Sequence, residues 1–144
     1  MTVRALACLA ISTTGLVASA SAARAEPPYL VLFEYGSSEI SAMGKAAIDQ
    51  VVLDFKRVDS GPILLEGHAD RSGTAAKNME LSQRRADAVR DALIAAGLPK
   101  TEIYARAAGE EEPIVQTPDG VREQANRRVE VWIPWSDVIV DQRQ

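Results

Sequence analysis

"ILLEGHADRSGTAAKNMELSQRRADAVRDALIAAG", residues 63–97, holds two structural periods in succession. Ile63 to His68 is a short run of β-formers that reads as a strand. A polar loop, Gly67 to Thr74, follows, and then apolar residues recur at helical spacing. Thr74 is suited to cap that helix, which is expected to run to Ala96, where Gly97 and Pro99 stop it. On a wheel at about 100° per residue, Leu81, Arg85, Ala88, Val89, Ala92, Leu93 and Ala96 share one arc. Arg84, Asp87, Arg90 and Asp91 fall on the other side, so Arg85 stands inside the apolar stripe and Arg84 is expected to be dispensable.

A guanidinium facing a core cannot shed its proton to escape desolvation, so it needs an anion. Asp70, in the loop that leads into this helix, is the nearest by sequence, and Asn78 shares the face of Arg85. Two arrangements satisfy the pattern. Asp70 and Arg85 bridge internally and staple loop to helix, as buried charges usually do. Or they face one cleft and bind a ligand carrying both an ammonium and a carboxylate, Asp70 taking the first and Arg85 the second, bidentately.

Outward from this stretch, "YLVLFEY", Tyr29 to Tyr35, reads as a strand bounded by prolines and Gly-Ser-Ser. From Ser41, the residues Ile40, Met43, Ala47, Ile48, Val51, Val52, Phe55 and Val58 repeat at helical spacing, predicting a helix with one buried face. "EIYARAA", Glu102 to Ala108, is a third strand, and Gly109 to Asn126 a long acidic connection with a short helical turn near Val121. "RRVEVWIP" alternates Val129, Val131 and Ile133 against Arg128, Glu130 and Trp132, a half-buried strand halted at Pro134. The order β-α-β-α-β-β predicts an α+β fold, a mixed sheet with both helices packed on one face.

The first 25 residues read as a secretory signal peptide. Arg4 gives a positive start, "ALACLAISTTGLVASA" is apolar and small, and "ARA" at 23–25 fits a cleavage site. The chain therefore divides into a leader, 1–25, a single domain, 26–134, and a tail, 135–144, and is expected in the periplasm with no membrane span after cleavage. Cys8, the only cysteine, comes too early for an apolar run to precede it, so acylation is not expected and the domain carries no disulfide. Sixteen basic residues against 20 acidic give a net charge of −4; losing Arg4 and Arg24 leaves 14 against 20, or −6. Such a chain is a poor candidate for nucleic acid or anionic lipid, which need a basic face.

"EGHADRSGTAAKNMELSQRRADAVRDAL", "AAGEEEPI" and "NRRVEVWI" together resemble the OmpA-like domain of outer-membrane protein A and the peptidoglycan-associated lipoproteins, over about Tyr29 to Pro134. The resemblance implies non-covalent binding of peptidoglycan in the cell envelope through the diaminopimelate of its stem peptide, whose side-chain end carries an amine and a carboxylate on one carbon. It assigns Asp70 to the amine, Arg85 to the carboxylate and Asn78 to a supporting contact, and adds Gly67, His68, Arg127 and Arg128 as block residues of the site. Gly36 stands where many relatives carry a ligand-holding asparagine, and Ala69 where many carry threonine. A wall-bound adaptor for another envelope protein is the role expected of such a domain. A protein-interaction module with an internal Asp70–Arg85 bridge, and a two-carboxylate peptidoglycan hydrolase, are the competing readings.

No cofactor is implied, and His68, the single histidine, has no partner set for a metal. Glu110, Glu111 and Glu112 lack the spacing of a calcium loop and read as a solvated acidic stretch. Trp132 and Trp135 are read as packing rather than as a sugar platform. The sequence carries no nucleophile elbow and no zinc-protease helix, so a non-enzymatic role is expected.

Overall fold

The computed structural model describes residues 28–58 and 61–133. The leader and the tail with Trp135, together with Pro134, lie outside the described residues. The elements are β1 Tyr29–Leu32, α1 Ala42–Val58, β2 Ile63–His68, α2 Ala75–Ala95, β3 Ile103–Gly109 and β4 Arg128–Trp132. Single 3-10 turns sit at Lys100–Glu102 and Gln124–Asn126, the second a few residues past the turn expected near Val121. The α+β order is the expected one.

One sheet carries all four strands in the order β1-β4-β2-β3. β2 and β3 run parallel, joined across α2, and β4 is antiparallel to β1 and β2. The last strand in sequence thus enters the middle of the sheet. Its alternation explains why it is tolerated there: Val129, Val131 and Ile133 point to the helix-covered face, while Arg128, Glu130 and Trp132 point to the other. Val31, Ile63, Leu65 and Val131 of the sheet meet Val51 and Phe55 of α1 and Val89 and Leu93 of α2 in one core. On the open face a shallow groove is lined by Leu64, Tyr104 and the half-buried Trp132.

Three local differences from the sequence expectation have physical causes. Met43 is 76% exposed, because Gly44 occupies the inward position of the first turn; a Cβ there would lie 3.1 Å from Val31 Cγ1. The Ser41 hydroxyl accepts the Gly44 amide and caps this helix. β1 stops at Leu32 rather than Tyr35, because the next carbonyls leave the ladder to serve arginines: Phe33 O accepts from Arg127 Nε and Glu34 O from Arg85 Nη2.

α2 differs in rotation. Thr74 caps it as expected, its hydroxyl accepting the Lys77 amide at 3.3 Å. The buried residues are Asn78, Ser82, Arg85, Ala86, Val89 and Leu93, so the stripe centres near Ser82 and Val89 and Arg85 lies at its edge, about 50° away. The cause is Gly67. A Cβ built there would stand 2.0 Å from Ser82 O and 3.2 Å from Ala86 Cβ, so only glycine lets the helix backbone descend onto β2. Gly67→Ala is expected to lower the unfolding free energy by at least about 2 kcal/mol, through overpacking against backbone that cannot give way, as read by urea denaturation.

Candidate functional site

β2 delivers its last residues to the top of the sheet, where Ala69 N donates to Gly109 O at 2.8 Å. Asp70 follows, buried at 3% exposure. Its Oδ1 accepts the Ser72 amide at 3.2 Å and the Ser72 hydroxyl. Its Oδ2 accepts the Glu123 amide at 3.2 Å and Arg127 Nη1 at 2.9 Å. Burial pushes the carboxyl's pKa up, but the Ser72 hydroxyl, Arg127 and the two amides outweigh it and hold it below 3.8. Asp70 is therefore an anion with Arg127 as its counter-charge.

Arg85 has no solvent-exposed surface. Its Nε donates to Ser37 O at 2.9 Å, Nη1 to His68 O at 2.9 Å and Nη2 to Glu34 O at 3.2 Å. Its Cζ lies 5.3 Å from the centroid of the Phe33 ring, a cation–π contact. A guanidinium has five N–H donors, so two remain unspent. Burial lowers its pKa to about 10, with Asp70 opposing and Arg127 and Arg84 adding to the fall, which leaves it charged at neutral pH. The anion that the helix wheel demanded is thus replaced by three carbonyl dipoles. Asp70 and Arg85 form no ion pair, so the internal bridge between them, the competing reading, is absent, and Asp70 pairs instead with Arg127.

These side chains line one cleft of about 480 Å³ between the exit of β2, the turn after β1 and the N-terminal half of α2. Of the residues singled out in the sequence, Asp70, Asn78, Arg85 and Arg127 come together there. Gly67, His68 and Arg128 do not line it. Gly67 lies beneath α2. The His68 ring is on the open sheet face, with Nε2 3.9 Å from a carboxylate oxygen of both Glu66 and Glu130, and only its carbonyl reaches Arg85. Arg128, one residue on from Arg127, alternates to the His68 face of the sheet and donates to Glu130 and to Glu112 O.

Asn78 donates its side-chain amide to the Glu110 carboxylate, so the acidic stretch is not wholly solvated. Gly36 lines the cleft at φ +64°, with nothing within 4 Å of an added Cβ. Lys77 and Arg84 also line it, although the wheel had set Arg84 apart as dispensable. Their spacing was the available signal: Lys77 and Arg84, like Asn78 and Arg85, are seven residues apart and so lie on nearly one line of the helix.

The OmpA family model matches residues 32–127. Outer membrane protein A of Yersinia pseudotuberculosis is 36% identical over 125 residues, covering 79% of this chain and 35% of that protein. The chain thus spans about a third of the length of the curated relatives it matches. Among solved structures, the peptidoglycan-associated lipoprotein of Burkholderia pseudomallei superposes with a TM-score of 0.66 at 30% identity, covering 72% of this chain and 88% of that one. The C-terminal domain of Helicobacter pylori MotB, at 20% identity and TM-score 0.65 over 80% of this chain and 90% of that one, shares the fold.

His68 is 2% exposed and neither ring nitrogen has a hydrogen-bond partner. Burial first, then Arg128 and Arg106, lower its pKa to about 4 against the opposing pull of Glu130 and Glu112. The unfolded chain therefore takes up the proton before the folded one does. Stability from the neutral ring is whole above about pH 6.5 and is lost as pH falls toward 4. The urea midpoint is expected to fall across that window, and His68→Gln to flatten the fall. Below it, Asp70 governs: its depressed pKa contributes stability that is lost only as pH drops under about 3.9, and Arg127→Met is expected to remove this, at a cost of about 3–5 kcal/mol for an orphaned buried carboxylate.

Proposed function

Because the chain belongs to the OmpA family, we propose that it is a non-catalytic domain of the cell envelope that binds peptidoglycan through the diaminopimelate of the stem peptide. One observation carries the reading: Asp70 and Arg85 line a single cleft with opposite charges and do not spend them on each other. An amine and a carboxylate on one carbon match that pattern. The ligand ammonium takes the Asp70 carboxylate, displacing the Ser72 hydroxyl, the one donor of the four that can rotate away. The ligand carboxylate takes the two unspent N–H groups of Arg85, and Asn78 orders the α2 side of the cleft through Glu110. Arg127 acts as a positioning residue that keeps Asp70 ionised and aimed.

The Burkholderia relative is a peptidoglycan-associated lipoprotein, which supports the same ligand class. We also assign residues 1–25 to an export leader and 26–134 to the binding domain, placing it in the periplasm, where wall and partner envelope proteins meet. Gly67, His68 and Arg128 serve this site through packing and the His68 carbonyl rather than by touching ligand.

Co-sedimentation with purified peptidoglycan tests the reading. Asp70→Asn and Arg85→Lys, which keep hydrogen-bonding capacity, are each expected to weaken binding about ten- to a hundredfold, the worth of a charged hydrogen bond. Circular dichroism verifies that both remain folded. Wild type left in the supernatant, or both variants pelleting like wild type, rejects the diaminopimelate reading; release of soluble muropeptides indicates a hydrolase instead. Gly36→Asn, at a left-handed position that asparagine tolerates, is expected to tighten binding roughly fivefold by restoring an amide contact.

A further inference from the structure

The charges lining the cleft do not balance. Lys77, Arg84, Arg85 and Arg127 face only Asp70 and Glu80, a surplus of two positive charges in a chain whose net charge is −4. Asp70 and Arg127 neutralise each other at 2.9 Å, and Glu80 and Arg84 at 2.6 Å. Arg85 and Lys77 remain. The Lys77 ammonium has no hydrogen-bond or ion-pair partner among the described residues. Beside the lining, Glu110 accepts from Asn78 and keeps its negative charge, and Arg122, 3.6 Å from the centroid of the cleft-lining Tyr35 ring, offsets it, so the surplus of two stands.

A ligand end with one ammonium and one carboxylate is neutral in itself and leaves this surplus standing. Lys77 precedes Arg85 by eight residues on α2, which places it about 12 Å along the helix axis. We propose that Lys77 forms a second anion subsite that takes a further carboxylate of the ligand, roughly 12 Å from the one held by Arg85. This rests on the diaminopimelate reading of the cleft. The site then selects ligands bearing more carboxylates than ammonium groups. In a stem peptide, the free α-carboxylate of the γ-linked glutamyl residue next to diaminopimelate is such a group, and its carboxamide is not.

Calorimetric titration of the intact chain with two synthetic peptides tests this. Both are alanyl-γ-glutamyl-diaminopimelyl-alanine with a blocked C-terminus; one keeps the glutamyl α-carboxylate and the other carries the carboxamide. Wild type is expected to prefer the acid roughly two- to fivefold at low salt, the worth of an exposed charge contact. The preference is expected to collapse to about one in Lys77→Gln, on the exposed side of α2, and to shrink in wild type as salt is raised. A wild type that does not distinguish the peptides, or a Lys77→Gln variant that keeps the full preference, overturns the subsite while leaving the diaminopimelate reading intact. Binding of neither peptide overturns that reading and the subsite with it.

Discussion

The top of this molecule is held by one buried cation. Arg85 reaches from α2 to three carbonyl oxygens, those of Glu34 and Ser37 in the turn after β1 and of His68 at the end of β2, and stacks against Phe33. No other side chain among the described residues bonds three backbone carbonyls in this way. A guanidinium in that position is stable because three carbonyl dipoles outside the sheet ladder converge on it, that of His68 in a fully buried bond and those of Glu34 and Ser37 in part-buried ones. The consequence is geometric: β1 leaves the sheet early, its turn folds over the helix, and Asp70, two residues beyond His68, is delivered to a set place.

Asp70 then acts as a shared counter-charge. Its ion pair is with Arg127, but its field also reaches Arg85 and opposes the fall in that residue's pKa. Two arginines about one carboxylate leave the cleft electropositive, while the overall chain is acidic. Every charged group at the base of the cleft is fixed by backbone donors or acceptors, so the fold itself holds their geometry.

Much of this was legible in the chain. The strand at Ile63–His68, the Thr74 cap, the β4 alternation and the inward placement of Arg85 all follow from periods of two and 3.6 and from capping chemistry, which are local properties. Asp70, Asn78 and Arg127 were legible as a set through the OmpA-like blocks that carry them. Gly67 was read from the same blocks as a site residue, yet its position is explained by Ser82 O pressing on the place a Cβ would fill. His68 and Arg128 lie on the opposite sheet face, which block membership alone does not distinguish from the cleft side.

The sequence by itself determined the element order, the faces of β4 and the presence of a buried guanidinium that had to be satisfied. Only the tertiary structure decided what satisfies it. β4 inserts between β1 and β2, which brings Arg127 beside Asp70, 57 residues away in the chain. With that carboxylate taken, Arg85 is left to the His68 carbonyl at the end of β2 and to two carbonyls in the turn after β1, 48 and 51 residues away. Periodicity specifies which side of an element faces inward, but a counter-charge is chosen by which elements become neighbours. That choice is made by the packing of the whole sheet, and no local pattern contains it.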